Sequence, residues 1–129
     1  MTVHHVGYLV RSIDRAAKTF AALGYVPQGD TTRDESRKID ILFMANGDTR
    51  IELVAPYERG SAVGNLRKRI GSAPYHICYE TENLEKEIAS LTENGYVLTS
   101  AAMPAPAIDG RCVAFLLHPA IGLIELVEK

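Results

Sequence analysis

Four side chains able to bind a metal ion or move a proton stand at repeating places in the 129-residue sequence. His5 opens His5-Val6-Gly7-Tyr8, and in the second half of the chain His76 opens His76-Ile77-Cys78-Tyr79. Glu52 sits in Ile51-Glu52-Leu53-Val54, which returns as Ile124-Glu125-Leu126-Val127. Each histidine is followed at the same distance by Gly-Tyr-Val, at Gly24-Tyr25-Val26 and at Gly95-Tyr96-Val97. Three landmarks in one order at nearly constant offset mark an internal duplication. Two imidazole nitrogens and two carboxylate oxygens, with room for water, suit a divalent ion: nickel, cobalt or zinc first, manganese or iron also. The duplication aligns His5 with His76, so His4 and His118 are read as structural or surface residues.

The elements that must position these groups follow from the apolar pattern. Alternation over Val3–Val10 predicts a strand. Ser12 is a candidate N-cap for a helix whose inner face carries Ile13, Ala16, Ala17, Phe20 and Leu23, with Gly24 as its stop. Strands are expected near 25–28, 36–45 and 49–55, with Asn46-Gly47-Asp48 as the turn of a hairpin. The second copy repeats the plan: a strand over Tyr75–Glu80, then a helix capped near Thr81 or Asn83 and stopped at Gly95. Strands near 96–100, 112–117 and 121–127 complete it. Each copy reads β-α-β-β-β, and one domain over 1–129 holds a module 1–57, a helical linker 58–73 and a module 74–129.

Side chains alternate along a strand. Ile51, Leu53, Ile124 and Leu126 then pack under the helices, and Glu52 and Glu125 face the opposite way. A carboxylate among apolar strand residues is costly to bury unless it is paired or bound to metal. Tyr8 and Tyr79 have the parity opposite to their histidines and are expected beneath the helices. Cys78 shares the parity of His76. In the linker, Val63, Leu66 and Ile70 recur at helical spacing amid Arg67, Lys68 and Arg69, read as a solvated helix face or a contact to an anionic substrate tail. Pro104-Ala105-Pro106-Ala107 is expected as a loop, because proline lacks the ladder donor.

Composition narrows the function classes. A formal net charge of −2 excludes a generally basic surface for nucleic acid. No apolar run approaches the roughly 18–20 residues that span a bilayer, so no membrane partner is expected. No secretory leader is visible, and two cysteines do not make a disulfide scaffold. A cytoplasmic setting with reduced thiols is the expectation. A chain this small leaves sheet edges and apolar faces to cover, so a homodimer acting on a small molecule is expected.

The pattern resembles the vicinal oxygen chelate superfamily, which includes glyoxalase I, methylmalonyl-CoA epimerase, extradiol dioxygenases and the bleomycin- and fosfomycin-resistance proteins. The resemblance covers the whole chain. It rests on His5-Val6-Gly7-Tyr8, Ile51-Glu52-Leu53-Val54-Ala55-Pro56, Pro74-Tyr75-His76-Ile77-Cys78 and Gly122-Leu123-Ile124-Glu125-Leu126. It implies an α+β fold, with two tandem βαβββ modules forming a cup-shaped, curved mixed sheet around one metal. It also implies proton transfer on a carbon acid beside a carbonyl, with a metal polarising the substrate oxygens and a carboxylate moving the proton.

Two reactions of this kind stay open: isomerisation of a hemithioacetal, as in glyoxalase I (lactoylglutathione lyase), and epimerisation of an acyl-CoA thioester such as methylmalonyl-CoA. By resemblance to the epimerases, Glu35, in the acidic stretch ahead of the Glu52 strand, and Glu125 form the acid/base pair, with Glu125 doubling as ligand. The stretch Gly110–Pro119 also looks like the epimerases' penultimate strand. Bacterial nickel-type glyoxalases hold glutathione four residues after the first and second ligands, where this chain has Leu9 and Pro56. Against that, glutamate as second ligand, at Glu52, is the glyoxalase pattern. A third reading is a drug-binding resistance protein without catalysis, against which the four intact ligands speak; they also make a dioxygenase, with its two histidines and one carboxylate, a poorer match. Arg37, Lys38 and Arg111 are candidate contacts to substrate carboxylate or phosphate, and Phe43 is a candidate cavity wall.

Overall fold

The computed structural model describes all residues, Met1–Lys129. Its nine strands run in mixed directions and form open sheet, with no closed barrel, and three α-helices accompany them. No helix is long and apolar enough to cross a membrane. The contacts divide the chain into two units: His5–Tyr75, and Met1–His4 together with His76–Lys129. Residues 58–73, read from sequence as a linker, fall within the first of these.

Strand β1 (Thr2–Leu9), which belongs to the unit His5–Tyr75 from His5 onward, leads into helix α1 (Ile13–Ala21). The Ser12 side chain accepts a hydrogen bond from the Arg15 amide, satisfying one of the helix's orphan donors. Two residues past the cap at Ala22, Gly24 takes φ 96°, a left-handed turn that a Cβ would strain. Strands β2 (Val26–Pro27), β3 (Thr32–Asp34), β4 (Ile39–Asn46) and β5 (Thr49–Pro56) follow. The strand order is β2-β4-β5-β1, with β3 also on β4. β4 and β5 form the expected hairpin, with Gly47 at φ 58° in its two-residue turn. β1 runs parallel to β5, pairing Gly7 with Glu52 and Leu9 with Val54. Helix α2 (Gly64–Ile70) closes the unit, and only Val63, just before it, is buried.

The expected strand over 36–45 is corrected here. Residues 35–38 form a turn, a separate short strand precedes it, and β4 begins only at Ile39. The cause is Asp34, 1% exposed, whose Oδ1 accepts from the Ser36 hydroxyl (2.7 Å) and the Arg37 amide (3.1 Å). Such short-range bonds offer the backbone an alternative to the ladder.

The second unit takes β6 (Ala73–Thr81) from His76 onward, and α3 (Leu84–Glu93), β7 (Val97–Ala105), β8 (Arg111–His118) and β9 (Gly122–Glu128) follow in turn. Asn83 caps α3 by accepting from the Lys86 amide at 2.9 Å. The order is β6-β9-β8-β7, with β6 parallel to β9. Pro104 and Ala105, expected in a loop, instead finish β7, and Pro106–Ile108 form a 3₁₀ turn. β7 lies at the edge of the sheet, where a missing N–H donor costs no ladder bond.

Each unit buries its own apolar face under its own helix. Met44, Ile51 and Leu53 pack with Ile13 and Val10, with Tyr8, Ala16, Ala17 and Phe20 against them. Ala114, Leu116, Ile124 and Leu126 pack with Leu84, with Tyr79, Ile88 and Leu91 against them. A fully buried Leu or Met contributes about 1.5–3 kcal/mol. These cores fix the faces of β5 and β9, and so turn Glu52 and Glu125 to the opposite side.

Candidate active site

The parity that sends Leu53 and Leu126 inward leaves His5 and Glu52 on the other face of β1 and β5. Their side chains are 0% and 7% exposed, and Nε2 of His5 lies 3.6 Å from Oε1 of Glu52. Gly7 is the residue directly opposite Glu52, so no side chain on β1 crowds the carboxylate. In the second unit the same construction recurs. His76 and Glu125 side chains are 0% and 4% exposed, and Nε2 of His76 lies 3.0 Å from Oε2 of Glu125. Each repeat therefore builds one buried imidazole–carboxylate pair.

Each set has a third member whose partnership with the histidine was not legible in the sequence. Phe43 pairs across β4 and β5 with Glu52, and its ring stands edge-on to His5 at 5.1 Å and 83°. Phe115 pairs across β8 and β9 with Glu125 and stands edge-on to His76 at 5.3 Å and 88°. Such edge-to-face packing holds an imidazole in orientation and walls it with apolar surface. Phe43 stood in the sequence as a possible cavity wall; its equivalence to Phe115 becomes visible only through strand register. Cys78 is fully buried and pairs with Glu125 in the β6–β9 register.

The other candidates fall in different places. Glu35 is exposed, in the turn that follows β3. Its buried neighbour is Asp34, whose Oδ2 takes Nη1 of Arg37 at 2.6 Å. Burial pushes the Asp34 carboxyl up, but the hydrogen bonds of Ser36 and Arg37 outweigh this and hold it below its ordinary value. Arg37 is thus committed to an internal ion pair and is 13% exposed. Lys38, at φ 56°, lies 3.7 Å from Glu58 and donates to the Arg59 carbonyl. Arg111 donates to the Glu128 carbonyl (2.7 Å) and to Glu80 (2.5 Å), tying β8 to β9 and, beyond it, to β6. That bond and the charge of Arg111 hold the Glu80 carboxyl below its ordinary value.

Fold and site together define a class: duplicated α+β proteins in which each repeat presents a buried histidine–glutamate pair from its first and last strands. The chain belongs to the Glyoxalase/Bleomycin resistance protein/Dioxygenase superfamily, whose family model matches residues 4–115. It is 28% identical over 118 residues to an ethylmalonyl-CoA/methylmalonyl-CoA epimerase of Cereibacter sphaeroides, covering 91% of this chain and 87% of that one. The crystal structure of hypothetical protein BH1468 from Bacillus halodurans is similar with a TM-score of 0.85 at 28% identity, covering 99% of this chain and 94% of that one. Methylmalonyl-CoA epimerase from Mycobacterium tuberculosis shares the fold, with a TM-score of 0.85 at 23% identity over 98% of this chain and 87% of that one.

Proposed function

We propose that this protein is an acyl-CoA epimerase, moving a proton on the carbon beside a thioester carbonyl, with methylmalonyl-CoA as the leading substrate. The observation that carries this reading is the buried histidine–glutamate pair at the same strand positions of both repeats. Similarity to the Cereibacter enzyme supports the thioester over the hemithioacetal. Leu9 and Pro56 point the same way, since neither side chain offers the charge or the donor that would anchor glutathione.

His5, Glu52, His76 and Glu125 fit a divalent ion by their chemistry. They offer two nitrogen and two oxygen donors, and all four are buried. Carboxylates so placed are stable only against positive charge or donors. These four residues would hold nickel, cobalt or zinc, with manganese or iron also compatible. A divalent ion there would supply positive charge to the substrate oxygens as the α-proton leaves.

The chain's own residues do the rest. One carboxylate takes the proton from the α-carbon, and an acid on the opposite face returns one, so the configuration inverts with no net change in atoms. Glu125 and Glu35 are the pair proposed for these roles. Phe43 and Phe115 hold the imidazoles in orientation and keep water from their edges.

The deciding experiment follows methylmalonyl-CoA in heavy water by mass spectrometry, using protein loaded with cobalt, nickel or zinc. Deuterium should enter the α-position. A parallel assay offers the methylglyoxal–glutathione hemithioacetal. Thioester formation there, with no exchange on the CoA substrate, would replace this reading with a glyoxalase.

A further inference from the structure

The unit His5–Tyr75 carries an open cleft of about 730 Å³ where β1 and β5 end. Arg11, Arg59, Arg67 and Lys68 line it, and Glu58 is the one carboxylate in its wall. Glu58 already faces Lys38 at 3.7 Å, so the cleft keeps a strong excess of positive charge. Arg67 is half-buried and the other three cations are exposed, so their heads reach the open space. Guanidinium forks match phosphate oxygens in a way that a flat solvated face does not need.

The strands join this cleft to the His5–Glu52 pair. Pro56, in the cleft wall, lies four residues beyond Glu52 on the same face of β5. That is about 13 Å at roughly 3.3 Å per residue. Arg11 follows Val10, whose amide extends the parallel pairing by donating to the Val54 carbonyl at 2.9 Å. Both strands therefore run from the buried pair towards the cationic cleft, over a distance an extended pantetheine arm covers.

We infer that this cleft binds the phosphorylated nucleotide end of the acyl thioester. The identity of the ligand rests on the epimerase reading; the cationic lining does not. The linker charges Arg67 and Lys68 then serve as a substrate contact instead of a solvated helix face.

Two measurements separate the inference from the reading beneath it. The first titrates the full chain calorimetrically with 3′-phosphoadenosine 5′-diphosphate, the nucleotide part of coenzyme A. Wild type should bind it, more weakly as salt rises, and Arg67→Ala or the pair Arg11→Ala/Lys68→Ala should weaken binding about tenfold or more. Absence of wild-type binding, or equal binding by variants with an unchanged circular dichroism spectrum, overturns the inference. The second compares methylmalonyl-CoA with the N-acetylcysteamine thioester of the same acid. Wild type should prefer the CoA form through KM, and the variants should lose most of that preference. Nucleotide binding that depends on these residues, without turnover of either thioester, sinks the epimerase reading and leaves a phosphate site standing.

Discussion

Nε2 of His76 lies 3.0 Å from Oε2 of Glu125, both side chains shielded from solvent. The equivalent atoms of His5 and Glu52 lie 3.6 Å apart. A pair this close and this buried is costly unless a proton or a cation neutralises it. Hence His76→Ala and Glu125→Ala should each lower metal retention at least about tenfold, since each removes one ligand outright. Metal content after desalting, read by elemental mass spectrometry, checks this. Full retention in both variants would remove these residues from the ligand set.

Glu35 stands in an exposed turn, so its replacement tests chemistry with little structural cost. Glu35→Gln should change stability by under about 0.5 kcal/mol, as surface substitutions usually do. The rate of α-proton exchange should fall by roughly 10²–10⁴, the usual contribution of a positioned base. A variant with wild-type exchange would leave Glu125 to act alone.

Asp34 gives a pH dependence of defined sign. Its folded carboxyl lies below the ordinary value of 3.8, so the folded state favours the charged form. Its stabilisation is complete above that value and is lost as pH falls through the lower folded value. Asp34→Asn should therefore cost about 2–4 kcal/mol at pH 7, and the gap to wild type should narrow below about pH 4. Urea midpoints at pH 7 and pH 3 measure both gaps. A gap that stays constant would show that charge is not what Asp34 contributes.

Gly24 and Gly95 end the two principal helices at φ 96° and 91°. An added Cβ would meet Asn46 Nδ2 at 3.3 Å in the first repeat and His118 Nε2 at 3.3 Å in the second. Gly24→Ala and Gly95→Ala should each destabilise by about 1–2 kcal/mol, since the left-handed conformation adds to a tight contact. Thermal unfolding of the two variants, made singly, gives the comparison. Loss in one repeat alone would mean that the turn of the other relaxes.

The duplication and the faces of β1, β5, β6 and β9 were legible in the sequence, because histidine and glutamate interrupt apolar alternation at matching places. The helix start at Ser12 was legible for a local reason, a side chain that caps its own helix; the second start was legible only as Thr81 or Asn83, of which Asn83 is the cap. The turn at 35–38 was not, since it depends on the buried carboxylate of Asp34 competing with the ladder. The partnership of Phe43 with His5 and Phe115 with His76 required the exact cross-strand register. The bonds of Arg111 to Glu80 and to the Glu128 carbonyl were not legible, because they join positions far apart in sequence.

The grouping of Met1–His4 with His76–Lys129 bears on how the chain acquires its structure. A unit that joins residues 1–4 to residues 76–129 closes only after the later segment has been synthesised. Its N-terminal segment must wait for His76 and all that follows, with a loop-closure cost that grows only slowly with length. The unit His5–Tyr75 draws on no residue beyond Tyr75. Synthesis alone therefore gives the two copies of one ancestral repeat different folding histories, with the first in a position to assemble while the second is still being made.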